Sequence, residues 1–368
     1  MMKTQRNRSV LIFGGAGFIG SNLAEHLLQR TEATVHVFDN LSRTGVHRNL
    51  EWLRKLAGSS GRLRVTVGDV RDAKLVERAV SHASEIYHFA AQVAVTTSIA
   101  DPVTDFAINL VGTFNILDAA RRSGRDPFIL FTSTNKVYGD LGLGSPAADA
   151  NRYAYPENPG VSESQPLDFH SPYGCSKGAA DQYVRDFGRI YGLPTVVFRM
   201  SCVAGPRQFG TEDQGWVAHF LYSALQRKPV VIYGDGRQVR DVLCVHDLVR
   251  AFDTVRRNMQ VAAAQIYNIG GGANNATSLL ELIDRIERLV GHRLAYQLEP
   301  RRPGDQLVYL TDYGKFHRHT GWHPEIDLGK TLKLLHAFWE ENQDNFKDQP
   351  PLAARERLAR ALPFGRAA

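Results

Sequence analysis

The chain has 368 residues, of which 43% are hydrophobic and 22% are charged. This composition is typical of a protein with a buried apolar core, and it excludes an intrinsically disordered chain. The formal net charge of +6 is consistent with an ordinary solvated surface, and no zinc-finger or RNA-binding signature points to nucleic acid as the partner.

Several other classes of protein are also excluded by sequence features. No stretch approaches the ~18 apolar residues that a membrane-spanning helix needs. Residues 1–10 are basic but lack the apolar region of a signal peptide, so we expect a cytoplasmic protein. The three cysteines, Cys175, Cys202 and Cys244, are odd in number and far apart, which predicts neither a disulfide framework nor a metal site. The histidines at 317, 319 and 323 cluster without carboxylates at ligand spacing, so we predict no bound metal.

Short apolar runs rich in Val, Ile and Phe alternate with segments that carry apolar residues at helical spacing. Uninterrupted apolar runs are typical of strands that are buried on both faces. Their alternation with helices predicts an α/β fold with a doubly wound parallel sheet of the Rossmann type. We predict strands at 10–13, 35–38, 63–67, 86–89, 128–131 and 196–200, and helices at 21–29 and 107–122.

The remainder of the chain predicts a second lobe and a long loop. Segment 140–170 shows little periodicity and contains Pro146, Pro156, Pro159 and Pro166. Loops of this length often serve as lids or binding loops. The pattern becomes mixed after about residue 200. We therefore expect a large domain over 1–200, with about 237–269 packing back on it, a smaller mixed α/β lobe over 201–350, and a loosely held tail over 351–368.

A glycine-rich turn follows the first predicted strand. Glycines 14, 17 and 20 form G-x-x-G-x-x-G, close to the dinucleotide-binding fingerprint. Glycine lets the backbone approach a pyrophosphate, and the helix that begins there presents unpaired N–H groups. Asp39 ends the second predicted strand, 19 residues after Gly20, where a carboxylate accepts from the adenosine ribose and repels a 2′-phosphate. The sequence therefore predicts NAD, rather than NADP, as the cofactor.

A tyrosine and a lysine stand four residues apart in the order Y-x-x-x-K, at Tyr173 and Lys177. Positions i and i+4 share a helix face, so Lys177 is expected beside the Tyr173 phenol. An unperturbed tyrosine has a pKa of about 10, and we expect the ammonium and the positive nicotinamide to lower it. Thr134 follows the fifth predicted strand, at the edge where ligands bind in such sheets. We predict that Thr134, Tyr173 and Lys177 are catalytic.

Taken together, these motifs resemble the extended branch of the short-chain dehydrogenase/reductase superfamily over about residues 8–345. The string NLVGTFNIL at 109–117 is also similar to that family. The resemblance implies that the following residues contact NAD: Gly14, Gly17, Phe18, Ile19, Gly20, Asp39, Asn40, Asp69, Val70, Phe89, Ala90, Ala91, Asn109, Thr132, Tyr173 and Lys177.

Longer strings are more specific. STNKVYGD at 133–140, LDFHSPYGCSKGAADQY at 167–183, RQF at 207–209, DQGWV at 213–217 and QVRDVL at 238–243 resemble the CDP-paratose 2-epimerases of the nucleotide-sugar epimerase branch. The resemblance implies a CDP-sugar that is epimerised at C2 through transient oxidation to a keto sugar, and a homo-oligomeric enzyme, either dimer or tetramer. Cys202 and Ala204 depart from the usual family turn, which carries Asn and Tyr before Gly-Pro.

The same resemblance implies a set of substrate-binding residues. Arg240 and Arg302 are expected to grip the diphosphate, because a forked cation suits phosphate oxygens. The full expected set is Thr134, Asn135, His170, Gln208, Gln214, Arg240 and Arg302.

Three alternative functions stay open. A UDP-sugar 4-epimerase uses the same triad and cofactor and differs in the sugar position. A 4,6-dehydratase resembles this chain less, because that family carries an Asp-Glu pair after the threonine, where Asn135 and Lys136 stand here. A non-catalytic NAD-binding protein is a third alternative, against which the intact Thr134, Tyr173 and Lys177 argue.

Overall fold

A computed structural model describes residues 8–142, 144, 146–155, 160–302 and 305–347. Its main sheet has seven parallel strands in the order β12-β8-β5-β4-β1-β2-β3. The strands of the described chain are β1 (Ser9–Phe13), β2 (Thr34–Asp39), β3 (Leu63–Val67), β4 (Glu85–His88), β5 (Phe128–Thr134), β6 (Ala147–Ala148), β7 (Tyr153–Ala154), β8 (Thr195–Met200), β9 (Cys202–Ala204), β10 (Val230–Tyr233), β11 (Val239–Cys244), β12 (Gln265–Ile269), β13 (Ala276–Ser278), β14 (Tyr296–Glu299) and β15 (Val308–Tyr309).

The described chain has helices on both faces of this sheet and others in a smaller lobe. They are α1 (Phe18–Arg30), α2 (Val46–Ala57), α3 (Ala73–Val80), α4 (Val95–Ala100), α5 (Pro102–Phe106), α6 (Gly112–Arg122), α7 (Pro172–Tyr191), α8 (Trp216–Leu225), α9 (Val245–Arg257), α10 (Met259–Ala262), α11 (Leu279–Val290), α12 (Gly314–Thr320), α13 (Leu328–Glu341) and α14 (Asp344–Lys347). Within the described residues, none of the helices is both long enough and apolar enough to span a membrane.

The predicted α/β class and the doubly wound parallel sheet are confirmed. The sheet buries apolar side chains on both faces, one set with α1, α2 and α9 and the other with α3, α6 and α7. The strand order reverses between β1 and β4, because the chain first adds β2 and β3 on one side and then crosses to the other. In open parallel sheets, ligands bind at such a reversal, outside the carboxyl ends of the strands.

The six predicted strands are present, and a seventh, β12, was missed. Its sequence QIYNI contains polar residues that interrupt an apolar run, so the pattern did not mark it. Asn268 is nevertheless fully buried, and its side chain accepts from the Tyr138 hydroxyl at 2.8 Å and donates to the Val161 carbonyl at 2.9 Å. The predicted helix 107–122 is α6 preceded by a π turn, Ala107–Val111.

A smaller lobe lies at the carboxyl end of the sheet. It has its own apolar cluster, formed by α8, α11 and α13 with β10 and β11, whereas Phe252, Tyr267 and Phe316 belong to the core of the large sheet. Residues of α9 and β12 thus return to the large domain, as proposed for 237–269, and α12 does so too, although it lies within the proposed lobe over 201–350. The division into a large domain over 1–200 and a lobe over 201–350 stays a proposal. The proposed tail, 351–368, lies outside the described residues.

The predicted long loop over 140–170 contains the short hairpin of β6 and β7. Its described residues bond to the small lobe and to β12: Tyr153 N donates to the Arg237 carbonyl at 2.9 Å, and Asn268 N donates to Glu163 at 2.7 Å. Pro156 and Pro159 lie outside the described residues.

Candidate active site

One cavity of about 750 Å³ extends from the glycine-rich turn, past Tyr173, into the small lobe. Its volume falls within the range of about 300–1,000 Å³ that is usual for ligand sites. Of the site residues predicted from the sequence, Asn109 and His170 do not line it. The others do: Gly14, Gly17, Phe18, Ile19, Gly20, Asp39, Asn40, Asp69, Val70, Phe89, Ala90, Ala91, Thr132, Thr134, Asn135, Tyr173, Lys177, Gln208, Gln214, Arg240 and Arg302.

The glycine-rich turn is shaped as a cradle that side chains would fill. Gly14 has a φ of +76°, and a Cβ there would lie 2.7 Å from the Ala90 nitrogen. A Cβ at Gly20 would lie 2.6 Å from the Gly15 Cα. Helix α1 begins after Gly17 without a side-chain cap, so its first N–H groups face the cavity. This arrangement fits a pyrophosphate group.

Asp39 lies at the end of β2, where the cavity passes the turn. Its carboxylate accepts from the Ala16 N–H at 3.0 Å and from the Leu41 N–H at 2.9 Å. Burial raises the pKa of Asp39, and these backbone hydrogen bonds oppose the shift. A carboxylate held in this way accepts ribose hydroxyls and disfavours a phosphate, so the residues present fit NAD.

Thr134 and Tyr173 meet where β5 and α7 approach each other. Thr134 ends β5 and caps the following turn, with its Oγ1 accepting from the Lys136 N–H at 3.2 Å. Pro172 starts α7, and the Tyr173 N–H donates to Ser98 Oγ at 3.2 Å. Thr134 acts on the Tyr173 hydroxyl to lower the pKa of Tyr173. The structure therefore places these two predicted catalytic groups near each other on the cavity wall.

Lys177 lies one turn further along α7 and is buried. Its ammonium donates to the Thr132 carbonyl at 2.7 Å and lies 4.0 Å from the centre of the Phe131 ring. Burial lowers the pKa of Lys177 to about 7, while Asp181 and Asp105 act in the opposite direction. Asp181 is also paired with Arg199, through contacts of 2.7 and 2.9 Å.

The expected effect of Lys177 on the Tyr173 phenol is not seen. Burial raises the pKa of Tyr173 to about 12, and the groups that lower it are Thr134, by hydrogen bonding, and Arg43, by its charge. The Lys177 ammonium instead donates to the Thr132 carbonyl. That Lys177 and a positive nicotinamide lower the pKa of Tyr173 stays a prediction.

Asn109 lies behind the cavity wall. Its amide donates to the Gln92 carbonyl at 3.0 Å, to Asp105 at 3.0 Å and to Ser176 Oγ at 3.1 Å, and its oxygen accepts from the Gln92 N–H at 2.9 Å. These bonds tie the segment after β4 to α7. The predicted contact of Asn109 with the cofactor stays a prediction.

The two predicted diphosphate-binding arginines are paired with carboxylates in the small lobe. Arg240 is buried and contacts Asp305 at 2.8 Å, and Lys136 contacts the same carboxylate oxygen at 3.2 Å. Arg302 contacts Asp213 at 3.1 Å and lies 3.7 Å from the centre of the Tyr233 ring. Lys136, Arg240 and Asp305 together carry a net positive charge beside Thr134.

The remaining predicted substrate residues differ in position. The Asn135 amide donates to Gln306 at 3.2 Å, and Gln208 and Gln214 line the lobe end of the cavity. His170 instead lies between Asp168, at 2.9 Å, and Asp140, at 3.5 Å. Its predicted contact with substrate stays a prediction.

Sequence reasoning missed several residues that line the cavity: Arg43, Ser133, Lys136, Glu212, Trp216, Tyr233 and Asp305. The proximity of Lys136 to Thr134 was a signal that was available but not used. The others reach the cavity from segments far apart in sequence. Within the described residues, no group of three or more His, Cys, Asp or Glu side chains is arranged to hold a metal ion.

Comparison with known proteins agrees with this geometry. A family model described as GDP-mannose 4,6 dehydratase matches residues 11–335. CDP-paratose 2-epimerase from Salmonella typhi is 43% identical over 335 residues, which cover 89% of this chain and 98% of that protein. A putative UDP-glucose 4-epimerase from Methanocaldococcus jannaschii is 31% identical over 336 residues, which cover 91% and 99%.

Solved structures are similar over the same extent. The dTDP-glucose 4,6-dehydratase from Streptomyces venezuelae, solved with NAD bound, gives a TM-score of 0.78 at 30% identity and covers 91% of this chain and 98% of its own. The UDP-glucose 4-epimerase from Thermotoga maritima, solved with UDP-glucose, gives 0.75 at 29% identity, covering 91% and 99%. The chain therefore belongs to the nucleotide-sugar epimerase/dehydratase family of the extended short-chain dehydrogenase/reductases, and it is an enzyme of that family.

Proposed function

We propose that this enzyme is an NAD-dependent epimerase that inverts C2 of a CDP-sugar, of the CDP-paratose to CDP-tyvelose type. The observation that carries the proposal is the convergence of Thr134, Tyr173 and Lys177 in one cavity, which runs from the glycine-rich turn to the arginines of the small lobe. The CDP-paratose 2-epimerase that is 43% identical supports the choice of sugar nucleotide.

Inversion at C2 requires help, because the hydrogen on C2 of a pyranose is not acidic. When bound, NAD supplies transient oxidation, by taking a hydride from that carbon and returning it. The residues proposed to hold NAD are the glycine-rich turn and Asp39, with Asn40, Asp69 and the segment after β4 on the adenine side. Tyr173 removes the hydroxyl proton from the substrate, and Thr134 holds the same oxygen. Lys177 fixes the nicotinamide end through its position beside Tyr173.

Inversion also requires the keto sugar to turn over while the nucleotide stays bound. Lys136, Arg240 and Arg302 line the cavity, and Lys136 and Arg240 share the Asp305 carboxylate. We propose that these three cations hold the diphosphate, since guanidinium and ammonium groups bind phosphate oxygens through charge-assisted hydrogen bonds. The sugar is then free to present its opposite face to Tyr173.

A dehydratase needs a base that removes a proton next to the keto carbon. Asn135 is an amide, and Lys136 is paired with Asp305, so the residues after Thr134 present no carboxylate for this step. This favours epimerisation over elimination. A UDP-sugar 4-epimerase stays the second candidate, because the relative that is 31% identical is a putative UDP-glucose 4-epimerase.

The long loop over 140–170, for which a lid was one expectation, has no role in the proposed reaction. Among its described residues, none lines the cavity. Water is excluded instead by the burial of Thr134, Tyr173 and Lys177, each less than a tenth exposed.

NMR of the purified enzyme with CDP-paratose, CDP-glucose or UDP-glucose, without added cofactor, tests the proposal. Inversion at C2 of a CDP-sugar is expected, and inversion at C4 of UDP-glucose would replace the proposal with the second candidate. Tyr173→Phe is the matched control, expected to retain NAD and the fold but to lose turnover. Retention of the wild-type rate by this variant would contradict the role of Tyr173.

We also propose that the enzyme is a homodimer, formed through α5–α7. Most of the exposed large apolar side chains lie there, including Val103, Phe106, Phe114, Tyr183 and Ile190. Phe114 and Tyr183 contact each other edge to face, with ring centres 6.0 Å apart, which joins α6 and α7 into one apolar surface of the kind that marks an interface. Sedimentation of wild type and Phe114→Arg is expected to give a dimer and a monomer, respectively.

A further inference from the structure

The cavity lining in the small lobe combines apolar side chains with polar ones. Trp216, Phe220, Val231 and Leu279 supply apolar surface there, and the Tyr233 ring lies beside them. A slot of this composition suits a flat heteroaromatic ring, whose faces are apolar and whose edge carries hydrogen-bonding groups. The diphosphate-binding cations proposed above lie in the same cavity, so the slot is placed to receive the base of the nucleotide.

Glu212 stands at the polar edge of this slot in a fixed position. The Tyr233 hydroxyl donates to its Oε1, and Arg302 contacts the same oxygen at 3.5 Å. Tyr233 is in turn held by Gln238, whose amide donates to the Tyr233 carbonyl at 2.6 Å. Both contacts use Oε1, and among the described residues no hydrogen bond uses the second carboxylate oxygen, Oε2, so this oxygen is available to a donor on a ligand in the cavity.

Gln208 supplies an independent observation that points to a donor on the ligand. Its amide nitrogen donates to the Val203 carbonyl at 3.0 Å, which fixes the orientation of the amide. Its Oε1 is buried and, among the described residues, has no hydrogen-bond partner. A buried acceptor without a partner is costly unless a ligand supplies the donor. Gln208 and Glu212 both line the cavity.

Pyrimidine bases differ in the group that they carry at the edge of the ring. Cytosine carries an exocyclic amino group, a donor that carboxylates accept, whereas uracil and thymine carry a carbonyl oxygen in its place. A carboxylate facing a carbonyl is repulsive, since both are acceptors. We propose that Glu212, held by Tyr233, reads the amino group of cytosine and so selects cytidine over uridine and thymidine diphosphates. This inference rests on the proposed function for the assignment of the cavity to a nucleotide sugar.

Calorimetric titration of the NAD-loaded enzyme with CDP, UDP and dTDP tests this selection, because the three ligands share the diphosphate. We expect CDP to bind about 10- to 100-fold more tightly than UDP, as one base contact of this kind provides. Glu212→Gln is expected to reduce the CDP/UDP ratio to about 1, mainly by weakening CDP. Tyr233→Phe keeps the carboxylate but removes the hydroxyl that fixes it, and is expected to reduce the ratio in part.

Asp213→Asn is the matched control. Asp213 also pairs with Arg302, but the Tyr233 hydroxyl donates to Glu212 and not to Asp213. It is expected to change the affinities for CDP and UDP together and to leave their ratio unchanged. Equal binding of CDP and UDP by the wild type would overturn the proposal, and so would a ratio that Glu212→Gln leaves intact in a variant with wild-type thermal stability.

These outcomes are distinguishable from failure of the proposed function. An enzyme that prefers CDP but does not invert C2 would retain the base-reading role of Glu212 and lose the 2-epimerase assignment. An enzyme that inverts a sugar but prefers UDP would remain an epimerase and lose the role of Glu212.

Discussion

Replacing Lys177 with Met is expected to make the protein more stable at neutral pH while abolishing turnover. Lys177 is 2% exposed, and burial lowers its pKa from the ordinary value of 10.5 to about 7. Methionine has a similar length, carries no charge and suits a buried site. The ammonium of this proposed catalytic residue is therefore held in place at a cost to folding, as is common for functional groups.

The size and sign of this cost follow from the two pKa values. Between pH 7 and 10.5 the unfolded chain holds a proton on Lys177 that the folded chain has lost. The free energy of unfolding therefore rises with pH across this window, by about 1.4 kcal/mol per pH unit, and the full penalty below pH 7 is about 5 kcal/mol. Loss of the hydrogen bond to Thr132 offsets about 1–3 kcal/mol of the gain in the Met variant. At pH 7 the net stabilisation expected is about 2–4 kcal/mol.

Guanidinium unfolding of NAD-stripped wild type and Lys177→Met at pH 7, 8 and 9 measures this effect. The difference in the free energy of unfolding between the two proteins is expected to shrink by about 1.4 kcal/mol per pH unit as pH rises. Lys333→Met, at an exposed position on α13, is the matched control and is expected to show no such slope. A difference that stays constant from pH 7 to 9 would refute the assigned burial cost of Lys177.

Three further substitutions test separate parts of the site. Gly20→Ala places a Cβ 2.6 Å from the Gly15 Cα and is expected to lower NAD affinity by about 10- to 100-fold in a fluorescence titration, whereas Gly329→Ala in α13 leaves it unchanged. Asp181→Ala leaves Arg199 buried without its carboxylate partner and is expected to cost about 3–5 kcal/mol in chemical denaturation, more than Asp181→Asn does. Arg240→Ala removes one proposed diphosphate contact and is expected to raise KM about tenfold or more with a smaller change in kcat; an unchanged KM would remove Arg240 from the site.

The large domain was predictable because its strands are buried on both faces. An uninterrupted apolar run such as the one at 128–131 has few alternatives, and it begins the observed β5, which is buried throughout. The strand β12 escaped detection because buried Asn268 reads as a surface residue until its partners Tyr138 and Val161 are known. Partners that lie more than 100 residues away along the chain leave no local signal.

Motif spacing identified most of the predicted residues that line the cavity. It did not predict the groups with which those residues form hydrogen bonds and ion pairs. The i, i+4 spacing predicted that Lys177 shares a helix face with Tyr173, but not that its ammonium reaches back to Thr132. In the same way, the sequence indicated Arg240 and Arg302 as cations, but not that Asp305 and Asp213 hold them. These pairings depend on how the small lobe meets the sheet, which periodicity does not encode.

The opposite pKa shifts of Tyr173 and Lys177 bear on when Tyr173, the proposed base, loses and regains its proton. Burial raises the pKa of Tyr173 to about 12 and lowers that of Lys177 to about 7, so near neutral pH the phenol keeps its proton and the ammonium is easily lost. A buried phenol of this kind is a poor base until a cation is brought beside it, because only an opposite charge offsets the burial of the phenolate. On our proposal a bound oxidised nicotinamide would supply that charge and lower the pKa of Tyr173, so that its phenolate would be present to accept the hydroxyl proton of the sugar. Without that charge the pKa of Tyr173 would be high again, and Tyr173 would hold the proton while the keto sugar turns over.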